Sequence, residues 1–250
     1  MAVRMQPLTT TRPMTVTLSR MPMNELQAPG SSALLRLMTW LSPAFPVGGF
    51  AYSHGLESAI AERRVADAAT LSKWLETLLL RGSGWNDLVL FAEAFRAAKD
   101  LDSTRMAAVC ELALALGGSM ERRAETQALG AAFGAAAQPW HDAAATTADL
   151  PDAPYPVAVG RLAGVGDIAL LDALTAYAHG FCANLVAVAT RLVPLGQSQM
   201  VLVLHALEPV QLSAARRAEG STLDDLGSSS FLSDIAAMRH ETMTTRLFRS

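Results

Sequence analysis

The chain has few charged residues, few aromatic residues and only two cysteines. Charged residues make up 17% of its 250 residues and aromatic residues 6%, whereas hydrophobic residues make up 51%. Soluble domains usually carry about a quarter charged residues. Either an alanine-rich helical core or apolar surface that meets a partner would explain the deficit. Cys110 and Cys182 are too few for a disulfide framework and fit a reducing cytosol.

Other absences exclude whole classes of function. The net charge of −3 comes without the basic stripe that nucleic-acid binders carry. No stretch of about 20 apolar residues could span a membrane, and the N-terminal region lacks the apolar run of a signal peptide. We therefore expect a cytoplasmic protein that binds neither nucleic acid nor membrane.

The motifs of common enzyme sites are also missing. A zinc-protease helix needs a second histidine four residues after the first, but Thr244 stands at that distance from His240. Neither a Gly-x-Ser-x-Gly elbow nor a Gly-x-x-x-x-Gly-Lys phosphate loop occurs. We expect no catalytic residues, no cofactor and no hydrolysis of GTP by this chain.

One pair of residues could bind a soft metal ion. His179 and Cys182 lie three residues apart and would share a helix face, as ligands of nickel or zinc do. Two ligands make a poor site, and a buried cysteine usually behaves as a small hydrophobic residue. Structural packing is therefore the better interpretation, and we predict no metal site.

Helical periodicity runs through almost the whole chain. The clearest stripe has apolar residues at i, i+3, i+4, i+7 and i+8 from Leu71 to Leu79. Asp167 is predicted to cap a long helix, Val201 to Leu204 fits a buried helix better than a strand, and a loop is expected between Trp140 and Pro156. The other predicted helices cover residues 33–41, 50–62, 88–98, 106–116, 120–137, 168–191, 197–218 and those after 234. We predict an all-α fold, a single helical-bundle-like domain of about ten helices.

The ends differ from this domain in composition. Residues 1–30 contain four prolines and are predicted to be a disordered N-terminal extension. Residues 31–219 form the predicted all-α domain. Residues 220–250 are predicted to be a Gly/Ser-rich linker followed by a C-terminal helix and tail that dock on a partner.

Two segments have unusual sequences. The front block, residues 42–57, reads Ser-Pro-Ala-Phe-Pro-Val-Gly-Gly-Phe-Ala-Tyr-Ser-His-Gly-Leu-Glu. Its prolines and glycines favour a rigid turn, which serves either core packing or a preformed platform that presents Tyr52 to another protein. The tail, residues 239–250, reads Arg-His-Glu-Thr-Met-Thr-Thr-Arg-Leu-Phe-Arg-Ser. Apolar side chains framed by arginines are typical of a protein–protein anchor, and a frayed helix end is the alternative.

Together the two segments resemble the UreF family of urease accessory proteins. That family shares the pattern Ser-Pro-x-x-Pro-Val-Gly-Gly-Phe-x-Tyr-Ser-x-Gly-Leu-Glu and a closing Arg-His-Glu…Arg-Leu-Phe-Arg-Ser. Further matching blocks follow in the same order at residues 122–130, 155–160 and 191–197, so the resemblance covers about residues 33–250. Thr39 and His54 stand where the pattern leads us to expect glutamine.

The resemblance implies a UreF-like domain at residues 31–219 and a homodimeric, non-catalytic assembly factor for nickel urease. Such a factor binds the accessory protein UreD, also called UreH, and recruits the nickel-carrying GTPase UreG to apo-urease. The tail and the last helix would become ordered against UreD. The implied partner-binding residues are Pro46, Gly48, Gly49, Tyr52, His54, Glu57, Arg239, His240, Arg246, Leu247, Phe248 and Arg249.

The alternative function is a small-molecule enzyme. Its site would be a helical pocket around Tyr52, His54 and His179. The weakness of this hypothesis is that no acid/base pair stands at a usable spacing.

Overall fold

The computed structural model describes residues 30–141 and 153–249, and these residues form an all-α fold. No residue of these two ranges lies in a β-strand. The α-helices are α1 Ser31–Trp40, α2 Leu56–Ala61, α3 Ala68–Arg81, α4 Ser83–Lys99, α5 Ser103–Ala115, α6 Met120–Ala136, α7 Tyr155–Val165, α8 Leu170–Ala189, α9 Gln197–Glu219 and α10 Phe231–His240. Short 3₁₀ helices cover Gly49–Ala51, Gln138–Trp140 and Leu223–Asp225. The predicted fold class is confirmed. The predicted disorder of the N-terminal extension falls, apart from Gly30, outside the described residues.

The core is built around α4. Thirteen of its 17 residues are buried, and it packs against α3, α5, α7, α8 and α9. Helix α7 crosses it very closely, since a Cβ atom on Gly160 or Gly164 would lie 2.5 Å from the carbonyl oxygen of Phe91 or Phe95. These two glycines lie one turn apart on the same face of α7. Their missing side chains therefore allow the two backbones to touch.

Helix α3 shows how the sequence produces a predicted element. Its apolar stripe is buried against α4, α8 and α9, with Leu71 and Leu75 fully inaccessible to solvent. Asp67 caps its N-terminus by accepting a hydrogen bond of 2.8 Å from the Thr70 amide, which satisfies one of the free amides of the first turn. The predictions for α3 and, with small shifts at their ends, for α1, α4, α5, α6 and α9 are confirmed.

The predicted continuous helix over residues 50–62 is wrong. A 3₁₀ turn is followed by extended backbone at Tyr52, and α2 begins only at Leu56. His54 has φ 53° and Gly55 has φ 75°. Two successive residues in the left-handed region are incompatible with a right-handed helix.

Helix α7 was not predicted, because prolines cluster just before it. Pro156 lies in its first turn, where a missing amide hydrogen costs nothing. Most of the loop predicted between Trp140 and Pro156, residues 142–152, lies outside the described residues. The predicted capping role of Asp167 is wrong, since this residue has φ 54° and α8 begins after Ala169.

Residues 220–230, predicted to be a Gly/Ser-rich linker, lie against the domain. The Trp85 indole donates a hydrogen bond of 2.8 Å to the Asp225 carbonyl, and the Gly227 amide donates one of 2.9 Å to the Asn86 side chain. These contacts hold the segment against α4. Helix α10 then begins at residue 231, three residues before the predicted start.

The apolar run in α9 is helical but only partly buried. Val203 is 2% exposed, whereas Val201 and Leu202 are 65% and 64% exposed, so the predicted burial is wrong for the first two residues of the run. Among the described helices, none has the length and apolar character needed to cross a membrane.

Candidate functional site

The front block depends on glycine at two positions. Gly48 has φ 78° and Gly55 has φ 75°, values that favour glycine, whereas Gly49 does not have a positive φ. At Gly55 there is also no space for a side chain, because a Cβ atom would lie 2.6 Å from the amide nitrogen of Ala237. Gly55 therefore brings the front block directly against the backbone of α10.

The front block and the tail meet at Glu57. Its carboxylate accepts hydrogen bonds from the Leu247 amide at 2.8 Å and the Phe248 amide at 3.0 Å. The Nε2 atom of His240 lies 3.0 Å from the same carboxylate. A buried carboxylate without partners is costly, so these three contacts explain how α2 can bury a glutamate that is only 6% exposed.

His240 connects Glu57 to a second carboxylate. Its ring is fully buried, and its Nδ1 atom lies 2.7 Å from Oε2 of Glu121 at the start of α6. The Arg246 side chain donates to the other oxygen of Glu121. Each ring nitrogen therefore faces a carboxylate, and the tail is tied to both α2 and α6. We call Glu57, Glu121, His240 and the two tail amides the clasp.

The residues on either side of His240 hold other parts of the domain. Arg239 pairs with Glu62 at the end of α2. Glu241 accepts hydrogen bonds of 2.7 and 3.3 Å from the first two amides of α6, where a negative charge also interacts favourably with the helix dipole. The sequence Arg239-His240-Glu241 thus makes three separate attachments between the chain end and the domain.

The last residues of the tail continue this attachment. Phe248 is only 5% exposed, and the Arg191 guanidinium lies 5.7 Å from the centre of its ring. The Arg249 amide donates a hydrogen bond of 2.8 Å to the carbonyl of Ala51. Leu247, by contrast, is 71% exposed. The alternative of a frayed helix end is therefore wrong, since the tail packs on the domain.

Burial divides the predicted partner-binding residues into two groups. The buried ones are Tyr52, His54, Glu57, His240 and Phe248. Those at least partly exposed are Pro46, Gly48, Gly49, Arg239, Arg246, Leu247 and Arg249. The hypothesis of a platform that presents Tyr52 is wrong for this conformation, because the side chain is 8% exposed. Partner binding by the exposed group stays a prediction.

Helix α10 carries an apolar surface that was not predicted. One side of the helix is buried in the domain, and the opposite side exposes four large apolar side chains. These four residues, which we call the C-terminal face, are Phe231, Leu232, Ile235 and Met238. The signal in the sequence was the spacing of positions 231, 235 and 238, which share one helix face.

A second histidine lies in another buried polar group, the His54 cluster. His54 Nε2 lies 2.7 Å from Oε1 of Glu125, and Arg122 donates to Oε2 of the same carboxylate at 2.7 Å. Asp87 is less closely paired, since Arg122 lies 3.8 Å away and the Tyr177 hydroxyl donates at 3.3 Å. The Glu125 side chain is 1% exposed and that of Arg122 is 14% exposed, so this ion pair lies largely inside the domain.

The two carboxylates of the His54 cluster differ in their pKa. Burial opposes the charge of Glu125, but Arg122 and His54 outweigh it and lower the pKa from 4.5 to about 2. At Asp87 burial dominates, and the more distant Arg122 only partly offsets it, so the pKa is raised. Glu125 is therefore the ionised partner of Arg122, and Asp87 is a carboxylate with too few partners.

The structure brings together neither the residues of the possible metal pair nor those of the alternative enzyme pocket. His179 is exposed, whereas Cys182 is fully buried, and burial raises the Cys182 pKa to about 12. Within the described ranges no three His, Cys, Asp or Glu side chains are grouped so that they could hold a metal ion. The cavity that His54 lines has neither Tyr52 nor His179 in its wall.

Known proteins resemble this chain over most of its length. The family model UreF matches residues 65–208. The urease accessory protein UreF of Mesorhizobium japonicum is 55% identical over 226 residues, which cover 89% of this chain and 98% of that protein. The urease accessory protein UreF 1 of Brucella anthropi is 50% identical over 221 residues, which cover 88% of this chain and 95% of that protein. The protein of the same name from Brucella abortus biovar 1 is 50% identical over 220 residues, with the same coverage.

Proposed function

The chain belongs to the UreF family of urease accessory proteins, and from this we propose that it helps to assemble the urease nickel centre by bridging UreD (UreH) and the GTPase UreG. Its relatives are named accessory proteins, so the chain is classed with these and not with enzymes. By binding them in the cytoplasm, the chain positions the two partners and apo-urease relative to one another. Nickel is the cargo that is delivered in this assembly. The chain changes which state of UreG is favoured through differential affinity.

The C-terminal face is the proposed docking surface for UreD. The observation that carries this proposal is the exposure of four large apolar side chains on one side of a ten-residue helix. Contiguous apolar patches on soluble proteins mark interaction sites. Leu247 and the exposed Arg246 and Arg249 add the residue types that are enriched at interfaces.

The clasp prepares this surface for binding. Because the Glu57 carboxylate binds the tail amides and His240, α10 and residues 246–249 have one position on the domain. A partner then does not have to order them, and the entropy cost of association is lower. The buried residues Glu57 and His240 therefore support partner binding indirectly, by holding α10 and the tail in place.

Homodimer formation is proposed from a separate apolar surface. Helix α1 exposes Leu34, Leu35 and Met38, and Phe50 of the front block is exposed as well. Two copies that bury such side chains against each other would form an isologous interface, the commonest kind in homodimers. The dimer would present the surface on which UreG docks.

The test is UreD binding by a charge variant in the C-terminal face. Ile235→Asp places a carboxylate at a residue that is 42% exposed, and the matched control Leu212→Asp does the same in α9 at 41% exposure. We expect Ile235→Asp to weaken UreD binding at least tenfold in calorimetry and to abolish urease activation in cells. Leu212→Asp should retain UreD binding. UreD affinity within twofold of wild type in Ile235→Asp would exclude the C-terminal face as the docking surface.

A further inference from the structure

A cavity of about 190 Å³ lies beside α10. Its wall is formed by α4, α6, the Gly-Gly turn before α6 and the first residues of α10. Small-molecule sites usually measure roughly 300–1,000 Å³, so this cavity suits one inserted side chain better than a drug-sized ligand. The wall includes His54, Asp87, Gly118, Arg122 and Asp234.

The wall of the cavity contains polar groups whose bonding is incomplete. His54 is 8% exposed, and its Nδ1 atom has no hydrogen-bond partner within the described part of the chain. Among the residues that the structure describes, Asp87 has only the long contacts to Arg122 and Tyr177, at 3.8 and 3.3 Å. The charge of Arg122 is shared with Glu125, which lies closer, at 2.7 Å.

Because Glu125 partly neutralises Arg122, the charge that remains in the cavity wall is the negative charge of Asp87. Asp234 adds a second carboxylate to the wall, bonded at 3.0 Å to the Ser228 hydroxyl. A buried carboxylate with few partners is costly. A ligand that carries several N–H donors and a positive charge would lower that cost.

We propose that this cavity receives a lysine or arginine side chain of the protein that docks on the C-terminal face. The two sites share one helix, because Ser233, Asp234 and Ala237 line the cavity on one side of α10 while Ile235 and Met238 belong to the face on the other side. A partner lying across α10 would thus bury apolar side chains on one side of the helix and insert a basic one on the other. This inference rests on the proposed function, in which that partner is UreD.

The first test uses the full chain and UreD. Asp87→Asn removes the charge but keeps an acceptor for Tyr177, and Asp172→Asn is the control at an exposed carboxylate outside the wall. Gly118→Trp adds a large side chain in the wall that should obstruct the cavity, and nothing lies within 4 Å of a Cβ atom built there that would strain the fold. We expect Asp87→Asn and Gly118→Trp each to weaken UreD binding at least tenfold without lowering the Tm, and Asp172→Asn to have no effect.

The second test does not need the partner. Butylguanidinium is the probe, and butylurea, a neutral molecule of similar shape, is its control. In amide NMR spectra the guanidinium should shift the signals of Gly118 and Gly227, both in the wall. The shifts should be lost in Asp87→Asn, and butylurea should produce none.

The outcomes separate the two proposals. If Ile235→Asp abolishes UreD binding while Asp87→Asn and Gly118→Trp leave it within twofold, the cavity proposal is overturned and the docking face stands. If butylguanidinium shifts no signal of the cavity wall, the cavity proposal is overturned whatever UreD does. If Ile235→Asp binds UreD normally while both cavity variants fail to bind, the proposed docking face is wrong and the cavity is supported.

Discussion

The clasp and the His54 cluster are both buried histidine–carboxylate groups, yet they are completed differently. In the clasp each ring nitrogen of His240 faces a carboxylate, and the Glu57 carboxylate binds two tail amides. In the His54 cluster one ring nitrogen has no partner among the described residues, and Asp87 has only long contacts. One group holds the chain end in place, whereas the other faces a cavity with unused bonding capacity.

This difference separates structural from binding roles. A fully bonded buried network stabilises one conformation and leaves nothing for a ligand. An incompletely bonded network costs stability, and it persists where a binding partner supplies the missing bonds. The clasp should therefore dominate stability, and the His54 cluster should contribute less to folding and more to association.

The sharpest test of the comparison is to break the clasp at Glu57. Glu57→Ala leaves His240 and two tail amides without their acceptor, and removing one partner of a buried charged pair costs about 3–5 kcal/mol. Urea unfolding followed by circular dichroism should show this loss. The control Glu62→Ala, which removes the exposed partner of Arg239, should leave the curve nearly unchanged. Equal unfolding midpoints for the two variants would contradict the structural role of the clasp.

The anchoring of the tail can be tested at two neighbouring residues, because Phe248 is buried and Leu247 is exposed. Phe248→Ala should destabilise the protein by about 3–4 kcal/mol, as is typical for a buried phenylalanine. Leu247→Ala should change the midpoint little, because that side chain is exposed. Thermal unfolding of the two variants measures both effects. A larger loss for Leu247→Ala would mean that the tail is held in another way.

Acid should weaken the His54 cluster through Glu125. Its pKa is about 2 in the folded chain and 4.5 ordinarily, so its ionised form favours folding. That contribution is complete above pH 4.5 and is lost as the pH falls towards 2; it is on the order of 3 kcal/mol or less. Wild type should therefore lose more unfolding free energy than Glu125→Gln between these pH values. Parallel pH profiles would show that Glu125 does not favour folding through its charge.

The smallest expected effect on stability is that of Asp87→Asn. Burial raises the pKa of Asp87, so its charged form is disfavoured in the folded chain near neutral pH. Replacing it by asparagine should raise the unfolding free energy slightly, by less than about 1 kcal/mol. Chemical unfolding at pH 7 measures the change. A loss as large as that of Glu57→Ala would mean that the two clusters are equivalent in stability.

Periodic helices could be predicted from the sequence, and irregular segments could not. The leucine stripe of α3 and the long run of α9 follow from local spacing alone. The front block was predicted to resume a helix at Phe50, since local pattern does not report the left-handed backbone at His54 and Gly55. The start of α7 was missed because prolines are read as helix breakers, although they are well tolerated in a first turn.

The candidate site was predicted in its parts but not in its assembly. The front block and the tail were singled out by composition and by family resemblance. Their contact joins Glu57 to residues about 190 positions further along the chain, a distance over which local patterns carry no information. Burial of Glu125 could not be predicted either, because an alanine-rich helix has no clear apolar stripe to show which side faces inward.

The clasp has a consequence for protein synthesis. Glu57 is made early, and its partners Leu247 and Phe248 follow 190 and 191 residues later. At about 5–20 residues per second, the 190 residues between Glu57 and Leu247 take roughly 10–40 s to translate. During that time the glutamate of α2 has no tail to bind, so the nascent domain cannot close around it. The clasp therefore closes only after residues 247 and 248 have left the ribosome, and until then the Glu57 carboxylate has none of the tail amides that bind it in the folded domain.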